Sequence, residues 1–218
     1  MKTVSADPSP ETAVAPATVL VLVGGASSRM GQNKALLSVG GMRLIERVVQ
    51  AVRPLGDDLL LIANEAGPYT FLGLPCVPDR QPDYGPLMGL YSGLAAAKYE
   101  LALLVACDMP FLSTHLLRHM LDLAAGQDVV IPRTEDGQHP LHAVYRRSTC
   151  LPAIAAAIAQ DKRRMIAFHD QVRVREINEE EMRSFDPSGL ALLNVNTPEE
   201  LALAEHVARR AYYDEEEA

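Results

Sequence analysis

The sequence predicts an α/β fold in which a mostly parallel central sheet lies between two helical layers, and three observations carry that expectation. Short apolar runs at 19–23, 59–63 and 101–105 are too short for ordinary helices and read as strands covered on both faces. Between them, apolar residues recur at helical spacing, as at Ile45, Val48, Val49 and Val52. Each run then gives way to a polar or glycine residue, Gly24, Asn64 or Asp108, where a parallel sheet presents its ligands.

Taken in order, residues 1–17 are rich in Ala, Pro, Ser and Thr without periodicity, the composition of a flexible leader. A single domain over 18–211 follows. The run Val19, Leu20, Val21, Leu22, Val23 is its first strand, and Pro54 ends the first helix. Residues 75–77 form a short strand leading to Asp79, and Pro86 opens a helix whose Leu87, Leu90 and Leu94 share a face. Ser113 or Thr114 caps a helix presenting Leu117, Met120, Leu121 and Ala124 to the core. Strands are expected at 129–131 and 141–145 around a turn at Asp136 and Gly137, then a helix over 149–160 and a second helical piece holding Met165 and Ile166. The stretch 172–177 alternates as an edge strand does. A last strand at 192–195 leads to Asn196, and Thr197 with Glu200 has capping-box spacing around Pro198. The acidic tail, 212–218, reads as solvated rather than folded.

Composition narrows the function classes. A net charge of −8 argues against nucleic acid or an acidic membrane as partner, and no apolar run approaches membrane-spanning length. Three scattered cysteines, Cys76, Cys107 and Cys150, with no CxxC pair, fit reduced thiols in a cytoplasmic protein.

The loop after the first strand carries the clearest chemistry. Gly24, Gly25 and Gly31 let backbone N–H groups surround an anion, and Arg29 and Lys34 add positive charge. It has neither GxGxxG nor GxxxxGK[ST], which weakens the dinucleotide oxidoreductase and ATPase readings. A polyphosphate whose charge rises at a leaving group suits this grip; a glycine turn with surface cations is the plain alternative. Asp108 suits Mg²⁺, which takes one or two carboxylates and completes its octahedron with phosphates and water, although an Asp there also caps helices or marks turns.

Four segments together resemble one family: LVGGASSRMGQNK over 22–34, GPLMGL over 85–90, CDMP over 107–110 and NVNTPEEL over 194–201. They resemble the molybdenum cofactor guanylyltransferases, within the broader nucleotidyltransferase group. The resemblance implies a three-layer, Rossmann-like nucleotidyltransferase fold and transfer of GMP from GTP to molybdenum-bound molybdopterin, with Mg²⁺ as cofactor and pyrophosphate as leaving group. It implies that Leu22, Val23, Gly24 and Gly25 line the nucleotide and that Lys34 contacts its phosphates. Asn64 and Asp79, with Asp83 as the other candidate, would hold the nucleoside. Asp108 would bind the metal and nucleotide, and Asn194 and Asn196 would lie near the metal or acceptor. Arg29, Lys34 and Asp108 form the expected catalytic set, and proteins of cofactor biosynthesis and molybdoenzyme maturation are the expected partners. Ala26, Ser27 and Ser28 replace basic residues often found after the double glycine in that family.

The remaining candidates are weaker. His139 and His142 lack the further ligands a metal pair needs, and Lys162, Arg163 and Arg164 read better as a solvated face than as a phosphate site. Cys107 reads as a small buried residue rather than a nucleophile. Rival functions are a cytidylyltransferase for the same cofactor, a sugar-phosphate nucleotidyltransferase, and a noncatalytic cofactor carrier with the same fold.

Overall fold

Strand β1, Ala17–Leu22, is buried along its whole length because it lies between two parallel neighbours, β4 (Asp58–Ile62) and β6 (Leu101–Ala106). The computed structural model describes residues 15–24 and 33–216, with side chains through Arg210. The leader up to residue 14, the loop residues Gly25, Ala26, Ser27, Ser28, Arg29 and Gly31, and Glu217 lie outside the described residues. Ala17, expected in the leader, is the first residue of β1 and is buried.

The side chains of β1 alternate between two cores. Val19 and Val21 face one side, and Leu20 and Leu22 the other. On the first side pack α1 (Leu44–Val52) and α3 (Thr114–Asp122), through Ile45, Val48, Val52, Leu117, Met120 and Leu121. On the second pack α2 (Pro86–Ala96) and α4 (Arg147–Ala159), through Leu87, Leu90, Leu94, Ile154 and Ala157. This is the expected three-layer α/β arrangement, and continuous apolar strands are what a sheet covered on both faces requires.

In the sheet the order is β10, β7, β9, β6, β1, β4, β5, with β8 paired to β7. Short β5 (Cys76–Val77) forms one edge and β10 (Val174–Ile177) the other, while β7 spans Val129–Thr134, β8 Gly137–Gln138 and β9 His142–Arg146. Strand β9 runs antiparallel to both β6 and β7, so its first residue, His142, sits beside Val105 at the C-terminal edge of β6. A hairpin of β2 (Ser38–Val39) and β3 (Met42–Arg43) turns at Gly40 and Gly41, whose φ of 59° and 76° suit a two-glycine turn. The hairpin packs on α6 (Pro198–Glu216) through Val39, Leu44, Val195, Ala204 and Ala208. Short α5 (Glu179–Arg183) adds Met182 to the first core.

Helix α2 comes unusually near the sheet. A Cβ on Gly89 would lie 2.5 Å from Leu22 Cδ1, and one on Gly93 2.8 Å from Leu20 Cδ1. The missing side chains let the helix axis approach the strand ends that carry polar residues.

Three expectations are corrected. Met165 and Ile166 lie in turns rather than on a helix: Asp161 takes a φ of 52° after α4, and the chain doubles back with the Lys162 amide on the Ala157 carbonyl. Residues 192–195 form no strand, because β6 already has β1 and β9 as neighbours, and Val195 turns its side chain toward α6. The helical backbone of α6 continues through Asp214, Glu215 and Glu216, where an unfolded tail is expected. No helix among the described residues is long and apolar enough to cross a membrane.

Candidate functional site

The sheet ladder runs on past its strand ends, which brings four polar segments out side by side. The Cys107 amide donates to the Leu22 carbonyl at 3.0 Å, Val23 to Ile62 at 2.9 Å, and Ala63 to Val77 at 3.0 Å. The backbones leading to Gly24, Asn64, Asp79 and Asp108 therefore leave one edge in register. Leu22 and Val23 are buried there, and Gly24 is exposed with nothing within 4 Å of where its Cβ would stand.

Asn64 and Asp79 hold each other. The Asp79 amide donates to Asn64 Oδ1 at 2.9 Å, and Asn64 Nδ2 donates to Asp79 Oδ2 at 3.3 Å. Burial raises the Asp79 pKa, while the Asn64 hydrogen bond pulls it down. The place for an absent Gly89 Cβ is 3.5 Å from Asp79 Oδ1, so the carboxylate stands against the bare flank of α2. Asp83 instead occupies an exposed turn at a φ of 60°.

Lys34 opens a 3-10 turn, Lys34–Leu36, capped by Asn33, whose side chain accepts from the Ala35 amide at 3.2 Å. Its ammonium donates to Asn196 Oδ1 at 3.2 Å across 162 residues of sequence. Asn196 is held in turn by the start of α6. Its amide donates to Glu200 Oε2 at 2.5 Å, and the expected capping box forms from the Thr197 amide to Glu200 at 3.0 Å and from the Glu200 amide to Thr197 Oγ1 at 3.2 Å.

The same segment reaches β6 by its backbone, with the Val195 amide donating to the Asp108 carbonyl at 2.8 Å. Asp108 thus lies next to the Lys34–Asn196 pair. Its Oδ1 is buried without a hydrogen-bond partner among the described residues. Burial raises its pKa, Glu200 adds to the rise, and Lys34 opposes it. An unpartnered hard oxygen of this kind fits a cation that draws its other ligands from phosphates and water. Asn194 is the exception: its Nδ2 turns back to the Leu192 carbonyl at 3.2 Å.

The weaker candidates take structural positions. Burial pushes the Cys107 thiol up to about 12, which removes it as a nucleophile at neutral pH. Burial lowers the His142 pKa to about 3, and His139 bonds Thr134 Oγ1 at 2.8 Å. No group of three or more His, Cys, Asp or Glu among the described residues is arranged to hold a metal by itself. Arg163 pairs with Asp161 at 3.1 Å and lies over the Tyr84 ring. Two contributors escaped the sequence reading. Asn33 carried a local signal, a capping residue directly before Lys34, whereas Tyr69, which takes a hydrogen bond from Asn33 Nδ2 at 2.8 Å, carried none.

Comparison with known proteins gives a consistent result. A probable molybdenum cofactor guanylyltransferase of Pelotomaculum thermopropionicum is 39% identical over 197 residues, spanning 89% of this chain and 95% of the relative. One of the same description from Carboxydothermus hydrogenoformans is 40% identical over 181 residues, spanning 83% and 91%. Among solved structures, the molybdopterin-guanine dinucleotide biosynthesis protein A of Archaeoglobus fulgidus superposes with a TM-score of 0.76 at 27% identity, covering 88% of this chain and 99% of that one. The model of the MobA-like NTP transferase domain matches residues 19–174, well over half of the chain. With its strand ends, lysine and aspartate gathered at one sheet edge, the chain belongs to the MobA-like NTP transferase family and is a nucleotidyltransferase of that type.

Proposed function

We propose that the protein transfers GMP from GTP to the terminal phosphate of molybdenum-bound molybdopterin, forming molybdopterin guanine dinucleotide and releasing pyrophosphate. The observation that carries this reading is the meeting, at the sheet edge where β1 releases Gly24, of Lys34, Asn196 and an Asp108 oxygen that has no partner among the described residues. The names of the relatives support guanine as the base and the molybdenum cofactor as the acceptor.

An acceptor phosphate oxygen attacks the α-phosphorus of GTP, the bond from that phosphorus to the bridging oxygen breaks, and the bridging oxygen departs with pyrophosphate. The attacking oxygen is already anionic, so no strong general base is needed, and alignment with charge neutralisation supplies the rate. Lys34, steadied by Asn196, meets the phosphates together with Arg29 and the amides of Gly24 and Gly25. Asn64 and Asp79 hold the nucleoside, Leu22 and Val23 line its pocket, and Asn194 and Asn196 stand on the acceptor side. Mg²⁺ would be held by Asp108 and the nucleotide phosphates, where it offsets negative charge. The three free thiols support a reducing, cytoplasmic setting.

Pyrophosphate release with molybdenum-loaded molybdopterin, measured across GTP, CTP, ATP and UTP, tests the proposal. GTP should lead. A clear preference for CTP would transfer the assignment to a cytidylyltransferase, and cofactor binding without pyrophosphate from any triphosphate would sink the enzymatic reading.

A further inference from the structure

We propose that Tyr69 is a positioning residue for Lys34, its hydroxyl holding the lysine in place through Asn33. The inference rests on the proposed role of Lys34 in gripping a triphosphate.

Tyr69 lies in the 3-10 helix Gly67–Leu72 and is buried in the first core. Asn33 precedes Lys34, and both ends of its carboxamide are engaged. The Ala35 amide can only donate, so the group bonded to it must be Oδ1, at 3.2 Å. The NH₂ end therefore faces the Tyr69 hydroxyl, which accepts at 2.8 Å. Burial raises the Tyr69 pKa, with the Asn33 hydrogen bond opposing, so a neutral phenol serves as the anchor through the neutral pH range.

The geometry fixes Lys34 from both directions. Beyond the lysine, its ammonium rests on Asn196, which Glu200 holds at the start of α6. Before it, Asn33 is tethered to a helix that follows β4, and Asn64 lies on the chain between the two. A phenylalanine ring would fill the same apolar space, so what the hydroxyl contributes beyond packing is the link to Asn33.

Equilibrium binding of GTP and of inorganic tripolyphosphate, with Mg²⁺ present, tests the link in the full chain. Tyr69→Phe should weaken both about fivefold, the equivalent of one neutral hydrogen bond, and lower the melting temperature by no more than about 4 °C. In a Lys34→Ala background the same substitution should change tripolyphosphate affinity no further, since the hydroxyl acts through the lysine. Unchanged affinity in Tyr69→Phe, or a full additional loss in the Lys34→Ala background, would overturn the proposal. Wild-type protein that binds no triphosphate would overturn it together with the reading of the site. Protein that binds tripolyphosphate through this cycle yet transfers no nucleotide would uphold the link while removing the transfer reaction.

Discussion

Asp108 and Asp128 are two sheltered aspartates at opposite ends of the sheet, and they stand in opposite electrostatic states. Asp128, 6% exposed, precedes β7 and is saturated. Its oxygens accept from the Arg173 amide at 2.8 Å, from Arg173 Nε at 3.1 Å and from Thr149 Oγ1 at 3.0 Å. Arg173 holds its carboxyl down at about 2. Asp108 follows β6, has a buried oxygen with no partner among the described residues, and is shifted upward by burial. A satisfied carboxylate joins elements of the fold, whereas one left unsatisfied at a strand end is available to something that is not part of the chain.

The largest test removes the function-bearing members. Asp108→Ala and Lys34→Ala should each lower pyrophosphate release by roughly 100-fold or more, the scale of losing a charge-stabilising group. Both should melt near the wild-type temperature, and full activity in either would collapse the distinction. Asp128→Ala should behave in reverse. It leaves the Thr149 hydroxyl and the Arg173 amide without their acceptor, costing about 2 kcal/mol, or roughly 6 °C in melting temperature. Its turnover per folded molecule should stay within about twofold.

Acid separates the two residues more finely. The folded pKa of Asp128 is depressed to about 2 from an ordinary 3.8, so its contribution is complete above about pH 4 and is lost as pH falls through about 2. Asp128→Asn should flatten the stability profile across that window. For Asp108 the folded pKa is raised, so ionisation costs stability and protonation on acidification returns it; Asp108→Asn should remove that gain. Chemical denaturation from pH 7 to pH 2 reads both. The smallest effect belongs to Thr197→Ala, which removes one half of the α6 capping box and should cost about 1 kcal/mol in urea unfolding.

Legibility in the sequence followed the range of the interactions. Strands β1, β4 and β6 were readable because burial on both faces demands unbroken apolar runs, and the start of α6 because a capping box is a pattern of four residues. Positions at strand ends, Gly24, Asn64 and Asp108, could be named for the same reason. Tyr69 could not, since its bond to Asn33 spans 36 residues and leaves no mark near either one. The run 192–195 misled because an apolar stretch signals burial without saying against what; here Leu193 and Val195 lie under α6 and Leu192 against the first core, none of them in the sheet. Met165 and Ile166 misled similarly, since apolar side chains in a tight turn mimic the spacing of a helix.

Among the described residues, the bond from the Val195 amide to the Asp108 carbonyl is the one backbone hydrogen bond by which the segment between Ala191 and Asn196 meets the chain leaving β6. Proton exchange at that amide therefore reports the joining of α6 to the sheet, separately from the exchange of the buried ladder between β1 and β6. If nucleotide draws Lys34, Asn196 and Asp108 together, the Val195 amide should slow on binding while the Leu20 amide, deep in that ladder, keeps its rate. The site then works as a seam between two cooperative units, and ligand is the stitch that closes it.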